Sequence, residues 1–374
     1  MKFPALLRSL LVGMLLVSTA HAIEWNVIRV GDRDYVTLEN LAAFYQFPDY
    51  SHANRTISLR SAQRGIRAQV GTSELYINGV RFFTHVPLRE QAEGQLISAF
   101  DVGKLVEPIL RPSRIQPAQQ IETVILDPGH GGTDSGTANR WGNEKTFTLE
   151  VAKTAREELL QAGFKVEMTR SDDTGLSIED RITFANRFPN AVFVSIHFNS
   201  GSGGNGVESY RLAPKGAPSN AAASGEHHAT ENGESSADEG NAQDNQNIAL
   251  AAAVHAAVLS GARPYDRGVR HARFKVLRHL SVPGVLLEAG FLNDPTEGQR
   301  IATPQYRQQL GAAIAAGVKS YNAAVNYQSG NPTFALVRAN LPPHQRSITE
   351  PLETRPPSPR VEPEPPSVSI NGGE

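Results

Sequence analysis

The sequence predicts an α/β protein, a largely parallel, twisted sheet with helices on both faces, preceded by a small α+β domain. Strand-like and helix-like segments alternate from Glu122 to about Tyr321, the order that builds parallel strands joined by crossover helices. Three apolar strand segments in that region end on a polar, ligand-type residue, where open sheets of this class place their sites. Ahead of them, residues 23–110 hold short strand patterns separated by turn residues and interrupted by two helix patterns.

The first 22 residues, MKFPALLRSLLVGMLLVSTAHA, combine basic Lys2 and Arg8, an apolar run and an Ala20-His21-Ala22 ending of the A-x-A form. They are expected to be a cleaved export signal (1–22), because the run is shorter than the roughly 20 residues a membrane span needs. No membrane span is expected after cleavage. In 23–110, strands are expected at 56–59 and 74–80, the latter turning at the hairpin-type pair Asn78-Gly79. Helices are expected at 36–44 and 97–105, where Thr37 and Ser98 stand three residues before a polar one, as at a helix start. This module resembles the N-terminal domain named after copper amine oxidases, found on exported envelope proteins; it holds no metal-ligand cluster, so the resemblance implies no copper. Residues 111–121 read as a linker.

In the main domain (122–325), the helix after Glu144 carries Phe147, Val151, Ala155 and Leu159 at steps of four, and Gly163 is placed to stop it. Lys165 to Met168 is then a strand. Ser177 with Asp180 forms a capping box for the next helix, and Ala191 to His197 is an apolar strand. Thr303 and Pro304 open the last helix, with the stripe Tyr306, Leu310, Ile314, Val318 and Tyr321. Residues 214–247 form an insertion rich in Ala, Ser, Gly, Asn and Glu without an apolar period, expected to be mobile over at least part of its length. The proline-rich segment 326–374 is expected to be a disordered tail.

A net charge of −2 argues against a nucleic-acid partner. With no cysteine the chain has neither disulfides nor a lipidated N-terminal cysteine, and stability must come from packing, with metal as a supplement. A diffusible exported monomer suits a periplasm, with the extracellular space or cell wall as the alternative.

The three strand ends are His130, His197 and Glu288, and Glu144 begins the first helix of the domain. Each alone has a structural explanation: a histidine at a strand end is more often a core residue, and a glutamate favours a helix N-terminus. Together, two imidazoles and a carboxylate make a three-ligand zinc set, and a second carboxylate supplies a base. The same ligand types also describe an iron(II) facial triad. Gly129, Gly131 and Gly132 keep space open beside His130. Ser195, two before His197, lacks a nucleophile elbow; Asp127 is either a partner of the site or a polar strand end; His255 falls on a helical core pattern.

ILDPGHGGTDSG, the Glu144-Lys145 pair, Arg181 with Ala185-Asn186, SIHFN, GVESY and VLLEAGFLN, in this order between about 122 and 321, resemble the zinc-dependent N-acetylmuramoyl-L-alanine amidases of the amidase-3 type. The resemblance implies a peptidoglycan hydrolase that cuts the amide between N-acetylmuramic acid and the L-alanine of the stem peptide, for wall remodelling or daughter-cell separation. It implies His130, Glu144 and His197 as zinc ligands and Glu288 as the catalytic base. Asn199 and Arg181 are weaker substrate-binding candidates: Asn199 equally suits capping of its loop, and Arg181, on a helix, reads more readily as structural. Asn293-Asp294 departs from the Ser-Asn of many relatives. A non-catalytic peptidoglycan-binding scaffold on the same fold is the alternative, against which the intact four-residue set argues. Relatives switched on by partner proteins carry an inhibitory helix over the metal. Residues 214–247 are therefore either such a lid, with Glu226, Glu231 and Glu234 as carboxylates and an envelope activator as partner, or an unconstrained loop, which the composition favours.

Overall fold

The computed structural model describes residues 25–116, 120–201, 204–220 and 237–327. The export signal, the tail beyond Tyr327 and the glutamates assigned to a lid lie outside the described residues. Among the described residues, no helix is long and apolar enough to cross a membrane.

The N-terminal module runs β1 (Val27–Val30), β2 (Arg33–Thr37), α1 (Leu38–Phe44), β3 (Asp49–Ala53), β4 (Thr56–Arg60), β5 (Gly65–Gln69), β6 (Glu74–Ile77), β7 (Val80–Phe83), β8 (Arg89–Gln91), β9 (Gly94–Ser98), α2 (Ala99–Asp101) and α3 (Glu107–Leu110). Its two helix starts are those the hydroxyl spacing predicts. Thr37 Oγ1 accepts from Asn40 N at 3.0 Å, and Ser98 Oγ from Asp101 N at 3.1 Å, so each satisfies an N–H that the first helical turn leaves without a partner. Between β6 and β7, Asn78 (φ 53°) and Gly79 (φ 84°) both adopt the left-handed conformation that a two-residue hairpin turn demands.

The main domain continues with β10 (Thr123–Pro128), the short pair β11 (Ala138–Asn139) and β12 (Gly142–Asn143), α4 (Glu144–Gln161), β13 (Lys165–Met168), α5 (Ile178–Ala185), β14 (Ala191–Asn199) and β15 (Val207–Leu212). It closes with α6 (Asp244–Ala262), β16 (Asp266–Ala272), α7 (Lys275–Arg278), β17 (Gly284–Phe291), α8 (Pro295–Ile301) and α9 (Pro304–Val325). Strands β13, β10, β14 and β17 run parallel; β15 is antiparallel to β17, which makes the sheet mixed. Helices α4, α6 and α9 cover one face, while α5 and α7 cover part of the other over Ile125, Phe193 and Leu286.

Two expectations about organisation change. Strand β7 pairs with β16 at Phe82↔Val269, so the module's meander extends the main sheet to eleven strands, in the order β13-β10-β14-β17-β15-β16-β7-β6-β5-β4-β3. Apolar residues of both regions, Leu59 and Leu75 with Val124 and Leu310 among them, share one core. The expected linker is also partly packed, with Pro112–Arg114 forming a 3-10 turn and Ile115 and Ile121 buried. Two isoleucines six residues apart among polar and proline residues show no period, so sequence patterning misses their burial.

The insertion is anchored at both ends. Asn220 and His271 exchange hydrogen bonds (Asn220 N to His271 O, and His271 N to Asn220 Oδ1, both 2.9 Å). Asp238, 5% exposed, accepts from Arg273, just before α7, at 2.5 Å and from Arg278, the last residue of α7, at 2.9 Å. A 3-10 turn (Glu239–Gln243) then leads into α6 at Asp244, so 237–247 is ordered despite its polar composition. Two arginines remote in sequence supply the countercharge, which composition does not reveal.

Candidate metal centre

Along β10, β14 and β17, side chains alternate between the two faces, so Asp127, Ser195 and Leu286 stand in one row. One step further along the same face, His197 sits beside Glu288 in register. This face turns from apolar (Ile125, Phe193, Leu286) to polar (Asp127, His197, Glu288) where α5 and α7 cease to cover it. His197 and Glu288 are 9% and 1% exposed.

The turn after β10 brings in the third group. His130 has φ 61°, a left-handed conformation that is uncommon outside glycine, and it is followed by Gly131 (φ 130°) and Gly132 (φ 60°). Neighbouring glycines leave room for the imidazoles. A Cβ on Gly129 would lie 2.2 Å from His197 Cε1, and one on Gly136 would lie 2.6 Å from both Glu144 Oε2 and His130 Cδ2. The reason for glycines around His130 is thus close approach as much as backbone freedom.

Glu144 opens α4, where Asn143 caps the helix through Thr146 N. Its Oε1 lies 3.1 Å from His130 Nε2 and 3.0 Å from His197 Nδ1, and accepts from Phe198 N at 2.9 Å; Oε2 accepts from Thr137 N at 3.0 Å. Burial opposes its ionisation, but the two imidazoles hold its carboxyl well below the usual range. Burial likewise lowers the His130 pKa, yet hydrogen bonds and attraction to Glu144 and Asp134 win and raise it to about 9. His130, Glu144 and His197 each present a ligand atom within 4.8 Å of the others, a set able to hold a metal ion.

Sequence reasoning missed Asp134. Its Oδ2 lies 2.8 Å from His130 Nδ1, and this pairing leaves Nε2 turned toward Glu144, the outer carboxylate arrangement that orients a metal-binding imidazole. The available signal was an aspartate four residues beyond the histidine across a Gly-Gly turn. Arg170 was missed too: its guanidinium donates to Pro128 O, Gly129 O and Lys145 O, tying the His130 turn to the start of α4.

Of the weaker candidates, Arg181 donates to Asp127 Oδ1 (2.6 Å), Pro128 O (2.8 Å) and His130 O (2.7 Å), which commits it to the turn. Burial pushes the Asp127 carboxyl up, but Arg181 and the hydroxyls of Thr169 and Ser195 outweigh it and hold the pKa below its ordinary value. Ser195 is therefore a donor to Asp127. Asn199 lies beyond a register shift after His197 and donates to Glu208 Oε2 at 3.3 Å, on the β15 side of Glu288. His255 is buried between Ser209 and Asp266, on the opposite side of the sheet. An open cleft, walled by Leu176 and Ile178 on one side and Phe274 and Val276 on the other, leads to His130 and His197.

The buried Arg181–Asp127 pair predicts a stability effect. Arg181→Met leaves the Asp127 charge without its main partner and is expected to cost about 3–5 kcal/mol, measured by denaturant unfolding. Unchanged stability would mean that Arg170 alone holds the turn.

A family model of N-acetylmuramoyl-L-alanine amidases matches residues 124–320, more than half of the chain and the whole of this site. The chain belongs to the N-acetylmuramoyl-L-alanine amidase family. This amidase is 30% identical over 210 residues to the sporulation-specific N-acetylmuramoyl-L-alanine amidase of Bacillus subtilis, covering 55% of the chain and 71% of that protein. It is 33% identical over 210 residues to the probable cell wall amidase LytH of Staphylococcus aureus, covering 55% of the chain and 60% of that protein. Among solved structures, the amidase is similar to the N-acetylmuramoyl-L-alanine amidase from Clostridium difficile 630, at 33% identity over 54% of this chain and 97% of that one, with a TM-score of 0.43. The N-terminal module lies outside the matched residues.

Proposed function

We propose that this amidase is an exported, zinc-dependent peptidoglycan hydrolase that cleaves the amide between N-acetylmuramic acid and the L-alanine of the stem peptide, in the periplasm or cell wall, during remodelling or cell separation. The observation that carries the reading is the convergence of His130, Glu144 and His197 beside Glu288 on one polar sheet end. The residues fit a metal. His130 Nε2 and His197 Nδ1 both lie within 3.1 Å of Glu144 Oε1, so the donor atoms converge, and Asp134 already fixes the opposite nitrogen of His130. Two neutral imidazoles and a carboxylate are a catalytic zinc set.

When bound, zinc supplies Lewis acidity, making a water nucleophilic near neutral pH and polarising the scissile carbonyl. The chain's own residues do the rest. Glu288 Oε accepts the proton of the attacking water and delivers it to the departing alanine nitrogen, which would otherwise leave as a poor amide anion. Glu144, accepting two backbone N–H groups, stays ionised and oriented. Arg181, through the His130 turn, positions this centre, while Asn199 beside Glu208 stays a substrate-contact candidate.

Metal binding must displace the proton that His130 holds up to a pKa of about 9. Apparent zinc affinity is therefore expected to weaken by up to about tenfold per pH unit as pH falls from 9 to 6. Competition titrations against a chromophoric chelator measure this, and a flat profile would count against His130 as a ligand. Mass spectrometry of sacculus digests tests the reaction itself. Release of intact stem peptides with free N-terminal alanine is expected, whereas products cut within the peptide or glycan would refute the assignment.

A further inference from the structure

The polar face that holds the metal cluster does not end at β17. Glu208 of β15 stands in register with Glu288, and β16, β7, β6 and β5 follow in the same sheet. Pairing places Tyr210 opposite Arg270, Tyr76 opposite Arg81, and Arg67 opposite Tyr76. The inward residues of these strands, Phe82, Leu75 and Ile66, are buried in the core, so the arginines and Tyr76 occupy the other face, partly exposed. Five strand spacings of about 4.8 Å separate Arg67 from Glu288, a span of about 24 Å.

Basic and aromatic side chains interleave along it. Arg267 lies 4.8 Å over Phe291, Arg270 4.4 Å over Phe83, Arg81 5.0 Å over the same ring, and Arg67 5.9 Å over Tyr76. The row is short of acceptors. Arg67, partly exposed, lies against the Tyr76 ring and has no carboxylate partner among the described residues. Arg270 faces Glu208 at 3.4 Å and Arg81 pairs with Glu74, but Glu208 also serves Arg267, Tyr210 and Asn199. Burial pulls the Arg67 guanidinium below its usual pKa range, as for a cation lacking a countercharge.

We propose that Arg67, Tyr76, Arg81 and Arg270 form a binding track for the stem-peptide carboxylates of uncut peptidoglycan, continuous with the metal centre. This rests on the amidase reading and adds that the N-terminal module holds the polymer beside the bond being cut. Polymeric substrate presents many carboxylates along one strand, and partly exposed guanidinium groups recognise carboxylates through charge-assisted hydrogen bonds. Tyr76 and Phe83 stiffen the guanidinium planes by stacking.

The test is cosedimentation of the full chain with purified sacculi, in a Glu288→Gln background that keeps the polymer intact. Arg67→Glu is expected to raise the dissociation constant about tenfold or more, the loss of a charge-assisted hydrogen bond. Arg67→Lys should recover most of the affinity. Lys153→Glu, which changes net charge equally on the exposed side of α4, should leave binding alone. Amidating the sacculus carboxyl groups should weaken binding by the chain with its track intact and remove its advantage over the Arg67→Glu variant. The first of these two effects needs no substitution in the track, so it decides even where a variant folds poorly. Equal binding by Arg67→Glu, equal weakening by Lys153→Glu, or undiminished binding to amidated sacculi overturns the track. Failure of the wild-type chain to release stem peptides is a separate result that overturns the amidase chemistry instead.

Discussion

Glu288→Gln is expected to lower turnover on a soluble muramoyl peptide by about a hundredfold or more while the protein retains its zinc. Glutamine fills the same volume at a position only 1% exposed, so the strand register with His197 and Glu208 should persist. What the amide lacks is basicity: it cannot take a proton from water or return one to the alanine nitrogen. Parallel measurements of metal content and initial rate separate the two properties. A variant with near-normal rate would place the general base elsewhere, and one that lost its metal would make Glu288 a ligand.

His130→Ala should have the opposite signature, loss of both metal and activity. Only Glu144 and His197 would remain as ligands, one fewer than the three a catalytic zinc site uses. The outer carboxylate gives a graded companion. Asp134→Asn removes the charge that fixes the His130 tautomer and is expected to weaken zinc affinity by about 10–100-fold without abolishing it. Elemental analysis after dialysis against a weak chelator reads all three. Wild-type zinc content in His130→Ala would refute the ligand assignment.

Local chemistry was legible wherever a signal is local. The hydroxyl caps at Thr37, Ser98 and Ser177, the Asn78-Gly79 hairpin and Pro304 at the start of α9 each concern groups within four residues of one another. Four polar residues, His130, Glu144, His197 and Glu288, also stood out because each interrupts an apolar strand or opens a helix. Arg181 was harder: its position on a helix favoured a structural role over substrate binding, but its partners lie too far along the chain to be read. The structure shows its guanidinium bonded to the carbonyls of Pro128 and His130.

The sequence by itself determined the strand and helix periodicity, the polar strand ends and the glycines that make room beside His130, because these depend on side-chain alternation and steric contact along short stretches. Only the tertiary structure decided how far the sheet extends, which atoms of Asp134 and Arg170 support the turn, and that Asp238 is fixed between Arg273 and Arg278. The physical reason is the same in each case. A hydrogen bond or ion pair between residues tens of positions apart depends on the register of strands and the packing of helices, and the antiparallel placement of β15 and the pairing of β7 with β16 leave no periodic mark on the chain.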